Sequence, residues 1–384
     1  MNVCKMTKGV LSFACVAFAA GQVSIMSLCF GAEIPNGTPE RSKAMRRAQW
    51  EKARPQVLDW FRKNWYGYAP VERPADEVIG ERSVTCAGGK VRMSLFLALP
   101  EAASATNPVP VFVFGDHISA SYAGIPTNSI TSRGYAYVRY DFNDIAPDLL
   151  ANNDRRLRGV FAAYGGYDRP DGAGWGKISA WAWGFSRVVD WIETRPELDA
   201  NRIAVIGHSR GGKTALWAAA QDKRIAMAVS NDSGTGGAHL NEVITPGSEQ
   251  VYAFRACRSW NFFCPNFLHL DGSESVMEHD ADDLLRLIAP RLLCVGSASA
   301  DFGAGPEGEF EAVRRASELW RAYGCVGMSL GTYPAPGTAD LAGSVGYHLR
   351  AGRHRLLPDD WERYLDFADR HLKPLVFADS KKGK

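Results

Sequence analysis

Ser209 stands in the run Gly207-His208-Ser209-Arg210-Gly211-Gly212-Lys213, with a glycine two residues to either side. A short β-branched run, Arg202 to Ile206, leads into it, and an Ala-rich helical run, Lys213 to Gln221, follows almost at once. A serine at a sharp strand-to-helix turn is held out over the sheet edge, which is the geometry of a nucleophile. The glycines suit the turn because side chains there would collide with the neighbouring strand and helix. The helix that follows points free N–H groups at the charge that develops during acyl transfer.

A serine hydroxyl needs a base, and the base needs an acid that holds its tautomer. In a strand-turn-helix hydrolase those partners follow the serine in the order acid, then histidine. Of the six histidines after His208, the segment Gly346 to His354 carries two, between the last expected strand and a terminal helix Asp359 to Leu372. His354 follows a glycine-bearing turn and is the expected base; His348 lies in an apolar, strand-like run and reads as a buttress. His371, on the terminal helix, reads as solvated surface. For the acid, Asp301 follows the apolar strand Leu292 to Gly296 and is preferred, while Asp232, ending Val229-Ser230-Asn231-Asp232, is the alternative.

Two cations flank the serine. The guanidinium of Arg210 could reach the tetrahedral oxyanion, or else pair with a surface carboxylate. Lys213, one helical turn on from Ser209, lies on the same face and could hydrogen-bond the hydroxyls of a sugar-like substrate. His117 follows the apolar run Pro110 to Gly115, where the loop donating a second oxyanion N–H is expected, and could line the site or serve the loop alone.

The elements that must position these groups alternate along the chain. Gln49 to Asn64 has an amphipathic helical pattern, expected to lie as a lid on the sheet edge, and Val84 to Leu99 reads as a hairpin around Ala87-Gly88-Gly89-Lys90. Strands are expected at Pro110–Gly115 and Tyr135–Asp141, and Asn143 to Pro170 reads as a surface insertion. A helix follows over Trp175 to Glu193, whose Trp181, Trp183 and Trp191 read as core packing. Strands at Ile225–Ser230 and Arg291–Gly296 complete the alternation. That order predicts an α/β-hydrolase fold, a three-layer sandwich around a mostly parallel central sheet.

The chain has 384 residues, 46% hydrophobic and 22% charged, with a formal net charge of +2. The near-neutral balance and the absence of a long basic run exclude a nucleic-acid-tracking surface. Residues 1–32 read as a secretory signal peptide: Lys5 and Lys8 precede an uncharged stretch ending in small residues, with a retained anchor as the rival reading. Residues 33–384 then form a single catalytic domain, secreted or periplasmic, with no stable membrane insertion after cleavage. Outside the leader the cysteines are Cys86, Cys257, Cys264, Cys294 and Cys325, too few and odd for a disulfide framework. A Cys257–Cys264 bridge and buried free thiols both remain open. No His-Glu-x-x-His or Cys-x-x-Cys spacing occurs, so neither a metal nor another cofactor is expected.

The run from Gly207 to Lys213 resembles the Gly-x-Ser-Arg-x-Gly-Lys signature of the glucuronoyl esterases, the fifteenth carbohydrate esterase family. Trp175-Gly176, Ala180 to Gly184, Ser230 to Gly237, Leu287 to Arg291, Gly308-Glu309-Phe310 and Tyr347 to His354 carry the likeness further, over about residues 45–372. The resemblance implies cleavage, through an acyl-enzyme, of esters between 4-O-methyl-glucuronic acid on xylan and lignin alcohols, with no metal. It implies Ser209 as nucleophile, Arg210 at the oxyanion, Lys213 on the uronate hydroxyls and His354 as base. The family's acid occurs as a Glu at the position of Asp232 or an Asp at that of Asp301. Asp232 is one methylene shorter than that Glu, which also favours Asp301. Where relatives carry a Trp in a Trp-Ala-Asp-Pro run, this chain reads Gly303-Ala304-Gly305-Pro306, and Asp282 stands where relatives often hold a His. The expected substrate is therefore plant cell-wall glucuronoxylan or a related uronate ester. Rivals are an esterase for acetyl or other small acyl groups on sugars and a catalytically silent carbohydrate-binding relative.

Overall fold

A computed structural model describes residues 39–116, 124–148, 159–256, 260–273 and 276–373. The expected signal peptide, His117 and Cys257 lie outside them. Ten strands build one sheet: β1 (Val78–Gly80), β2 (Ser83–Cys86), β3 (Val91–Ala98), β4 (Val109–Asp116), β5 (Ala136–Asp141), β6 (Leu198–His208), β7 (Ile225–Asn231), β8 (Leu292–Ala298), β9 (Ala339–Asp340) and β10 (Val345–Arg350). Their spatial order is β1-β2-β3-β5-β4-β6-β7-β8-β10-β9. The six strands from β5 to β10 are parallel; β1 to β3 join one edge antiparallel, and β9 closes the other.

Strand periodicity of two explains the layers. Along β4, Val111 and Val113 face one apolar cluster while Phe112 and Phe114 face another, and β6 alternates in the same way through Ile203, Val205 and Ala204, Ile206. The first cluster is closed by helices Lys177–Ile192, Arg210–Gln221 and Pro306–Ala322, the second by Pro358–His371. Both faces of the central strands are thus covered, as their continuous apolar runs require. The result is the three-layer α/β-hydrolase architecture. No helix among the described residues is long and apolar enough to cross a membrane.

Several expectations change. The first helix begins at Pro39 and runs to Phe61, and it packs on helices Pro306–Ala322 and Ala281–Arg286 rather than lying on a sheet edge. Arg54 ties it there by donating to the carbonyls of Ala220 and Leu287 at 3.3 and 2.9 Å. Over its described part the stretch after β5 is a surface insertion only in places: Asn143, Gly166 and Asp168 to Pro170 are exposed, but other residues enter the core. Phe142, Ile145 and Ala146 are buried, and helix Gly159–Tyr164 buries Val160 and Phe161. Phe142 stacks on Trp181 at 4.7 Å and 5°, about 0.5–1.5 kcal/mol beyond the area it buries. The helix tryptophans are core, as expected: Trp181, Trp183 and Trp191 are all buried. His371 is half-buried, its Nε2 2.9 Å from the Leu341 carbonyl, not solvated surface. Cys264 is a buried free thiol.

Candidate active site

β6 ends at His208, and Ser209 turns the chain into helix Arg210–Gln221 with φ +56° and ψ −125°. A non-glycine residue there stores strain that the surroundings must enforce. They do: the Ser209 N–H donates to the Asn231 carbonyl at 2.8 Å, and its own carbonyl accepts from the Lys213 N–H at 3.1 Å. A Cβ on Gly207 would lie 2.1 Å from the Gly211 carbonyl oxygen, so the glycine before the serine is required by the backbone of the one after it.

His354, on the loop after β10, sets its Nδ1 2.5 Å from Asp301 Oδ2. An ionised carboxylate only accepts, so Nδ1 carries the proton and Nε2 is left to act as a base. Asp301 is 7% exposed and the imidazole 45%, a buried orienting group under an accessible ring. The His354 ring lies 4.4 Å from that of His208, the neighbour of Ser209. His208 hydrogen-bonds Asn231 Oδ1 through Nδ1 at 2.7 Å, and burial, helped by nearby His354, pushes its pKa down to about 4. The second imidazole is therefore a neutral wall at working pH.

Asp232 also reaches this corner: oxygens of Asp232 and Asp301 and a His354 nitrogen lie within 4.8 Å of one another. Among the described residues this is the grouping whose donor types could ligate a cation. Its carboxylates are engaged otherwise. Asp232 Oδ2 pairs with Arg350 Nη2 at 3.1 Å, while Arg350 also binds Asp360 Oδ2 at 2.9 Å and His348 Nε2 meets Asp360 Oδ1 at 2.9 Å. His348 is thus a buried buttress. Burial first, then the Glu309 charge, holds the Asp232 carboxyl well above the usual carboxylate range despite Arg350.

Two supports escaped the sequence reading. Glu309, fully buried, accepts from the N–H groups of Ser233 and Gly234 at 2.7 and 2.9 Å and from Ser297 Oγ at 2.6 Å, tying the loop after β7 to β8. The signal that could have found its helix was present: Pro306 at the first helical position, with Glu307 and Glu309 in the first turn. His239, also buried, donates through Nδ1 to the Gly305 carbonyl at 2.8 Å; as the carbonyl only accepts, Nδ1 carries the proton. A Cβ on Gly305 or Gly308 would fall 2.4 or 2.2 Å from the His239 ring. Gly303-Ala304-Gly305-Pro306 is therefore the shape that closes the acid loop over this imidazole.

The cations are both engaged. Arg210 pairs through Nη2 with Asp148 Oδ2 at 2.8 Å, a largely buried carboxylate rather than a surface one. Lys213 is buried, donates to the Ser233 carbonyl, and lies 3.9 Å from Glu249; burial lowers its pKa. Asp282 pairs with Arg286 at 2.8 Å within its own helix. A cavity of about 280 Å³ opens beside Phe302, Pro306 and Tyr333, but none of Ser209, Asp301 and His354 lines it.

A mostly parallel sheet with a strained serine at a strand-to-helix elbow defines an α/β-hydrolase. A family model described as glucuronyl esterase, fungi, matches residues 83–324, and the chain belongs to that family. The chain is 36% identical over 243 residues to the carbohydrate esterase MZ0003 of an unknown prokaryotic organism, covering 63% of this chain and 54% of that one. To the 4-O-methyl-glucuronoyl methylesterase 1 of Wolfiporia cocos it is 29% identical over 85% of this chain and 76% of the other. The solved glucuronoyl esterase from Solibacter usitatus is similar at TM-score 0.71 and 30% identity, over 84% of this chain and 93% of that one.

Proposed function

We propose that the chain hydrolyses 4-O-methyl-glucuronoyl esters, such as those joining glucuronoxylan to lignin alcohols, through an acyl-enzyme on Ser209. His354 Nε2 takes the Ser209 proton, Oγ attacks the ester carbonyl, and the oxyanion faces Arg210 and the N–H groups opening helix Arg210–Gln221. Collapse expels the alcohol, which takes the proton from His354; water then attacks the acyl-enzyme by the same route. Asp301 holds the imidazole, and Lys213 contacts the uronate hydroxyls. Asp232 is the alternative acid. The single observation behind this reading is the Asp301–His354 contact of 2.5 Å beside the elbow. The names of the relatives support the uronate. The chain spans only 54% of the length of MZ0003, and the substrate rests on this reading. Secretion through a cleaved leader at residues 1–32 belongs to the same proposal, and N-terminal sequencing of the exported protein tests it.

Ser209→Ala is expected to abolish release of benzyl alcohol from benzyl glucuronate, and unchanged turnover overturns the assignment. Faster cleavage of acetylated xylan than of methyl glucuronate would instead select the small-acyl reading. Failure of a fluorophosphonate to label Ser209 would select a silent carbohydrate-binding relative.

A further inference from the structure

Asp148 is used by no step above, yet it is placed with unusual care. Two residues before it, the Ala146 carbonyl accepts from the buried Trp181 Nε1 at 2.9 Å, and the Val160 N–H donates to the Ile145 carbonyl at 2.9 Å. Those bonds, with the Phe142–Trp181 stack, fix a strut from the end of β5 to the elbow. At its tip the Asp148 carboxylate, 10% exposed, binds Arg210 Nη2 at 2.8 Å, while the Arg210 side chain is 37% exposed. Phe262, buried, lies under the same guanidinium, with Arg210 Cζ 5.6 Å from the ring centroid, and under Lys177 Nζ at 5.8 Å. Burial pushes the Asp148 carboxyl up and the Arg210 and Lys177 charges pull it back.

A carboxylate beside an oxyanion cation has an electrostatic cost, because it draws off part of the field meant for the developing negative charge. Its compensation is geometric. Arginine is long and rich in rotamers, and a half-exposed guanidinium left to solvent must be ordered during the reaction. Ring face and carboxylate together order it beforehand, which is where electrostatic catalysis gains. We infer that Asp148 is the positioning residue of Arg210, holding the guanidinium over the elbow before the ester arrives. This inference rests on the reading of Arg210 as the oxyanion cation.

Arg210→Ala alone tests that reading: a loss in kcat of about 10²–10³-fold is expected, as for one oxyanion donor. A wild-type kcat removes the role of Arg210 and the positioning role with it. Given that loss, Asp148→Asn, which is isosteric, is expected to lower kcat about 10- to 100-fold while KM for benzyl glucuronate stays within about twofold. Asp148→Glu is expected to recover part of the loss. In the Arg210→Ala background, Asp148→Asn should change kcat by less than about twofold, because partners in one unit are not additive. An unchanged or raised kcat in Asp148→Asn, or an equal loss in both backgrounds, overturns the inference; the latter pattern belongs to a residue that merely holds the fold.

Discussion

Neighbouring parallel strands β7 and β8 are each followed within three residues by an aspartate, and the two carboxylates meet opposite fates. Asp232, at φ +46°, turns inward and is 1% exposed against Arg350 and the field of Glu309. Asp301 sits on a loop shaped by Gly305 and His239 and meets an imidazole. A guanidinium cannot serve as a base, since it holds its proton at any working pH. The same side chain therefore anchors β10 in one loop and orients the His354 proton in the other.

The sharpest break in this contrast is Asp301→Asn. Nδ1 of His354 then faces an amide, the wrong tautomer is favoured, and kcat is expected to fall about 10⁴-fold with little change in folding. Next comes Arg350→Leu. It strands the Asp232 and Asp360 carboxylates in the interior, and breaking a buried pair of this kind costs about 3–5 kcal/mol, readable in urea unfolding.

His208 lies between the two loops and offers a pH test. Its pKa is pushed down from 6.5 to about 4 in the fold. The unfolded chain therefore binds the proton first as the pH falls, so stability is full above 6.5 and is lost between 6.5 and about 4. The contribution approaches about 3 kcal/mol across that window. In His208→Gln the thermal midpoint should fall less steeply over the same range, and parallel curves would refute the neutral wall.

The smallest effect is expected from Asp232→Asn. Arg350 keeps Asp360, so kcat should drop less than about tenfold, near 1.4 kcal/mol. A loss at Asp232 equal to that at Asp301 would reverse the assignment of the acid.

Local patterns were enough for part of this molecule. The glycines around Ser209, the β-branched run before it and the Ala-rich run after it specify the elbow among residues adjacent in the chain, where steric exclusion acts over one turn. The alternating strands and the apolar runs of β4, β6, β7 and β8 were legible for the same reason. What only the tertiary structure decided are pairings between distant segments: Asp301 with His354, Asp232 with Arg350, Asp148 with Arg210, and Glu309 with the loop after β7. A carboxylate's role depends on the charge a few ångströms away and on how much water is excluded, and both are set by the fold. Spacing places an aspartate shortly after each strand; the packing of β10 beside β8 determines which of them meets the histidine.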